Sequence, residues 1–132
     1  MGAAAEPVLF DAGEPSDGIT AERPVDLVHL ARYTLGDRSL EREVLKLFLT
    51  QSRIYLSRLE SAPDDKTWQD TAHAIKGSAR GIGAWQVAGA AEAVEVLKGR
   101  ALKSGRKKQA ISELAVHIQE VNGYIEALLA EN

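Results

Sequence analysis

Between residues 107 and 130, apolar side chains recur in alternating steps of three and four: Ile111, Leu114, Ile118, Val121, Ile125 and Leu128. That period predicts a long amphipathic helix from about Lys107 to Ala130 with one buried stripe. Leu40, Val44, Leu47, Phe48, Ile54, Tyr55 and Leu59 predict a second helix, from about Ser39 to Ser61. Asp37 or Ser39 suits its N-cap, Glu41 and Glu43 suit its positive end, and Pro63 stops it. Trp68, Ala72, Ile75, Ala79 and Ile82 place another helix from about Asp65 to Arg80. Val87, Ala91, Val94 and Leu97 place one from about Trp85 to Leu102, broken by the Lys103-Ser104-Gly105 turn. A short first helix, Val25 to Leu35, begins at Pro24 and stops at Gly36. No strand pattern competes. Long helices joined by short turns predict an all-α fold: an up-and-down antiparallel four-helix bundle with an additional short N-terminal helix.

Residues 1–23 break this pattern. They carry Gly, Pro and Ala, with Glu6, Asp11, Glu14, Asp17 and Glu22 opposed only by Arg23. They are expected to be a disordered acidic tail or linker, with Val8, Leu9 and Phe10 as its one apolar patch. The bundle is expected to occupy residues 24–132.

Composition narrows the function by exclusion. The chain has 132 residues, room for one core, and a net charge of -3, which does not suggest nucleic acid or a membrane surface. It has no cysteine, so disulfides and thiolate metal sites are excluded. No apolar run has membrane-spanning length, and the start lacks the pattern of a signal peptide, so a cytoplasmic protein is expected. The basic residues Arg100, Lys103, Arg106, Lys107 and Lys108 read as a solvated turn and helix start.

The chemistry concentrates in Asp70 to Ala84, DTAHAIKGSARGIGA. On a helical wheel the apolar residues of this segment face the core, and Gln69, His73, Lys76, Gly77 and Arg80 face outward. An exposed imidazole is largely neutral and nucleophilic at physiological pH. Lys76 and Arg80, three and seven residues on, suit the charge of an attached phosphoryl group. Gly77 costs about 1 kcal/mol relative to alanine in mid-helix. Its missing side chain opens the surface beside His73 to another protein, as in-line phosphoryl transfer requires.

The run His73-Ala74-Ile75-Lys76-Gly77-Ser78-Ala79, followed by Gly83-Ala84, resembles the signature of histidine-containing phosphotransfer (HPt) domains. The element order from Pro24 to Asn132 fits as well, covering about four-fifths of the chain. The resemblance implies that His73 is the phosphoacceptor, through Nε2, with Lys76 aiding the phosphate electrostatically and Gly77 giving the partner access. It implies a phosphocarrier without ATP binding or autokinase activity. Such a carrier takes a phosphoryl group from a receiver-domain aspartate or a hybrid histidine kinase and passes it to a response-regulator receiver. It implies no cofactor on this chain, with Mg²⁺ in the partner receiver, and a monomer. Ser78, Gly83, Trp85, Gln69 and Arg80 are secondary binding candidates. Glu95 joins them because many relatives carry a polar residue at that place. His29 and His117 are expected to be structural or simply exposed.

Three other readings compete. Asp70-x-x-His73 echoes half of a di-metal carboxylate motif, but a second copy and facing carboxylates are missing, and no metal site is expected. The phosphoacceptor region of a histidine kinase commonly has an acidic residue after the histidine and then a proline. Here Ala74 follows His73, and no proline lies beyond Pro63. An inert relative acting as a binding module would keep the fold but not require the intact His73, Lys76 and Gly77.

Overall fold

A computed structural model describes residues 23–97 and 105–131. The described residues form five helices and no strand: α1 (Leu27–Thr34), α2 (Arg38–Glu60), α3 (Asp65–Ile82), α4 (Trp85–Glu95) and α5 (Arg106–Ala130). The tail with Val8, Leu9 and Phe10 lies outside the described residues, as do Arg100, Leu102 and Lys103-Ser104.

The first three helices start in the same way. An aspartate in extended backbone precedes each, and its carboxylate accepts from the backbone N–H three residues on: Asp26 from His29, Asp37 from Leu40, Asp64 from Thr67, at 3.1, 3.0 and 2.8 Å. Asp37, rather than Ser39, is therefore the cap of α2. Asp26 moves the start of α1 past the expected Val25.

Contacts run from α2 to α3, α3 to α4, α4 to α5 and α5 back to α2, with α1 against α2 and α3. The start of α2 meets the end of α5, where Arg42 donates to the Leu129 and Glu131 carbonyls. Leu30, Leu45, Phe48, Leu59, Trp68, Ile75, Ile82, Leu114, Ile118 and Ile125 lie in the shared core. Asn122 donates to Ser52 Oγ inside it, bracing α5 against α2.

Two expectations are corrected. Helix α4 ends at Glu95, short of Leu102. The Val94 carbonyl accepts from the Trp68 indole at 2.7 Å and from Leu97 N–H at 3.1 Å, so the chain turns there. Leu97 still packs partly buried against the core. On α2, Leu40, Leu47 and Ile54 are exposed, and Leu45, Phe48, Ser52 and Leu59 are buried. The seven-residue spacing of the exposed trio follows a flank of the helix rather than its core line.

Candidate functional site

Helix α3 positions the site because its inner face is fixed by burial: Trp68, Thr71, Ala72, Ile75, Ala79 and Ile82 are all covered. The opposite face must then carry His73, whose side chain is 69% exposed. Gln69 lies one turn before it, half-buried, and Ser78 is half-buried toward the flank.

Glu95, the last residue of α4, holds the site together. Its Oε2 lies 2.9 Å from His73 Nδ1, and its Oε1 pairs with Lys76 Nζ at 2.7 Å. The Lys76 ammonium holds the Glu95 carboxyl below its usual range against the opposing effect of partial burial, and the His73 bond lowers it further. Glu95 is thus ionised at neutral pH and only accepts. The proton of a neutral His73 ring therefore sits on Nδ1, and the Nε2 lone pair is free. Glu95 thus orients the exposed imidazole of His73.

Arg80 faces outward as expected, but the expectation that Lys76 does so needs correction. The Lys76 side chain is only 15% exposed and is engaged with Glu95. Arg80 NH2 stands 3.8 Å from Glu92 Oε1. Lys66 pairs with Asp70 at 2.8 Å one turn before His73. The neighbouring charges are paired: α4 brings Glu95 and Glu92 to the basic flank of α3, and Lys66–Asp70 pairs within α3 itself.

The two signature glycines have different surroundings. A Cβ built on Gly77 meets nothing within 4 Å, and the same holds for Gly81, one turn on. Gly83 ends α3 with φ 76°, and a Cβ there falls 2.8 Å from Asp26 Cβ and 2.9 Å from the Asp26 carbonyl oxygen. Asp26 is fully buried; its N–H donates to the Gly83 carbonyl at 2.9 Å, and its Oδ2 accepts from the Trp85 indole at 3.0 Å. His29 packs edge-on to Trp85, with ring centroids 4.9 Å apart. Gly83 and Trp85 therefore fasten α1 to the α3–α4 turn. His117 pairs with Glu120 at 3.3 Å on α5.

A family model described as Hpt domain matches residues 43–131. The chain belongs to the Hpt domain family. Hpt domains are phosphocarrier modules rather than kinases, act in two-component phosphorelays, and interact there with receiver domains and kinases. Helix α1 and the first residues of α2 precede the matched region. No curated protein and no solved structure matches the chain.

Among the described residues, no three His, Cys, Asp or Glu side chains converge to hold a metal ion. No helix among them is long and apolar enough to cross a membrane. Sequence reasoning missed two features: Gly81 as an extension of the open floor, and Asp26 as the anchor of α1. Gly81 stands in the sequence four residues after Gly77, one helical turn, which was the available signal. Asp26 is legible as a helix cap, but its second bond reaches a residue 59 positions away.

Proposed function

We propose that this Hpt domain is a phosphorelay carrier whose phosphoacceptor is His73. It accepts a phosphoryl group from a receiver-domain aspartate or a hybrid kinase and passes it to a response-regulator receiver. What carries the reading is the orientation of His73 by Glu95, which puts a free Nε2 lone pair on an exposed face of an Hpt domain. In the transfer, Nε2 attacks phosphorus, the bond from phosphorus to the aspartate oxygen breaks, and the carboxylate leaves. The Nδ1 proton stays in its bond to Glu95, which stabilises the positive ring that forms. Lys76 neutralises Glu95, so that the carboxylate does not repel the incoming phosphate. The partner receiver supplies Mg²⁺ and approaches over Gly77 and Gly81, where this chain presents no side chain.

The wider reading is a monomeric, cytoplasmic carrier with an up-and-down antiparallel four-helix bundle over residues 24–132 and α1 as an accessory helix. The test is a transfer assay from phosphorylated receiver domains of the same organism. Wild type is expected to take acid-labile, alkali-stable label, and His73→Gln to take none while keeping its fold, because the side chain is exposed. Label on His73→Gln sinks the assignment. No label on wild type from any donor favours an inert binding module.

A further inference from the structure

Trp68 and His73 are both on α3 and point to nearly opposite sides of it: Trp68 is buried in the core and the His73 side chain is exposed. Their partners are consecutive residues of α4. The Trp68 indole N–H donates to the Val94 carbonyl at 2.7 Å, and His73 Nδ1 meets the Glu95 carboxylate at 2.9 Å. The Val94 carbonyl and the Glu95 Cα belong to one planar peptide unit. A bond to that oxygen therefore fixes the backbone from which the Glu95 side chain reaches His73 and Lys76. The bond falls where the helix itself gives least support. Helix α4 ends at Glu95, and the last carbonyls of a helix lose their partners in the turn that would follow. Here the Val94 carbonyl takes the indole together with the Leu97 N–H at 3.1 Å.

The indole is itself held. Lys107 Nζ, from the first turn of α5, lies 3.8 Å from the Trp68 ring centroid, with Asp65 Oδ1 3.9 Å away. The Lys107 side chain is buried and its Nζ makes no hydrogen bond. Burying an ammonium costs free energy, which the ring face and the Asp65 charge offset. A cation over the ring also draws electron density from the indole and strengthens its N–H as a donor, in keeping with the short bond to Val94. We infer that Trp68 is a positioning residue for phosphotransfer: its bond to the Val94 carbonyl sets where Glu95 stands, and Glu95 in turn keeps the His73 proton on Nδ1 and leaves Nε2 free; this rests on the phosphocarrier reading. Being buried, Trp68 touches neither the receiver nor the phosphoryl group, so it acts on the rate of transfer and not on affinity.

The test uses the full chain with Trp68→Phe, which keeps a ring beneath Lys107 and removes the donor. Ile118→Val, a buried truncation on α5 that leaves the Val94 bond in place, is the control for lost stability. Both are expected to lower the thermal midpoint. The probe is a phosphorylated receiver domain that labels wild type. At saturating receiver, transfer to Trp68→Phe is expected to slow about tenfold with Kd unchanged, the scale for a supporting group displaced by a fraction of an ångström. Ring ¹⁵N shifts of His73 at neutral pH are expected to show the proton moving from Nδ1 to Nε2 in part of the population. Ile118→Val is expected to match wild type in both readouts. Unchanged ring shifts, or unchanged transfer, in Trp68→Phe overturns the positioning role and leaves the phosphocarrier standing. An equal slowing in Ile118→Val also overturns it, since lost stability alone would then account for the rate. If no receiver labels wild type, the phosphocarrier reading falls and takes the positioning role with it.

Discussion

Gly77 and Gly83 sit six residues apart on one helix, and the fold needs only one of them. At Gly83 the backbone is left-handed and an added Cβ runs into the Asp26 backbone; at Gly77 the backbone is helical and an added Cβ meets open space. The fold requires the first glycine and gains nothing from the second. Gly77 lowers helix propensity with no packing return inside the molecule. On the proposed function its use is to leave the surface beside His73 open to a partner. The same sorting separates Lys76, covered and paired, from His73, exposed and open at Nε2.

The largest expected effect breaks this comparison at its structural end. Gly83→Ala combines left-handed strain with a clash against a backbone that cannot yield, and is expected to destabilise the domain by about 3 kcal/mol. Chemical denaturation measures it. A loss comparable with that of Gly36→Ala, where φ is 78° but nothing lies within 4 Å, would show that Asp26 yields and that Gly83 is no keystone.

The sequence carried the outer face of α3 because Trp68, Ala72, Ile75, Ala79 and Ile82 leave only one place for His73. It carried α5 for the same reason. It did not carry the orientation of α2, since Leu40, Leu47 and Ile54 repeat at a spacing that a buried stripe also shows. The true inner face includes Ser52, whose partner Asn122 is 70 residues away. Nor did it carry the end of α4, set by an indole 26 residues earlier, or the double grip of Glu95. Local periodicity determines faces; contacts between distant helices determine which polar atoms meet, and a one-dimensional pattern holds no record of them.

At the functional end, Gly77→Gln sharpens the comparison. The helix is expected to gain up to about 1 kcal/mol from the better helix former, while receiver binding and phosphotransfer fall together. Thermal melting and a receiver titration on one preparation read both quantities. Unchanged receiver affinity would mean that the partner does not cross this floor, and Gly77 would lose the role that distinguishes it from Gly83.

The smallest effect concerns the charge that joins the two halves of the site. Lys76→Ala removes the cation that chiefly holds the Glu95 carboxyl low, and leaves the partial burial that raises it. A bare carboxylate then stands beside the phosphoryl group, and transfer is expected to slow about fivefold, the scale of one partly exposed ion pair. The pH dependence gives the sign. Because the Glu95 pKa is lowered in the folded protein, its bond to His73 persists as pH falls through the ordinary carboxylate range and is lost only below it. Without Lys76 that loss is expected to begin at higher pH. Ring ¹⁵N shifts of His73, followed from neutral pH downward in both proteins, report whether Nδ1 keeps its carboxylate partner. Coincident curves would show that Lys76 does not set the charge of Glu95, and the lysine would then act on the phosphate directly instead of through its neighbour.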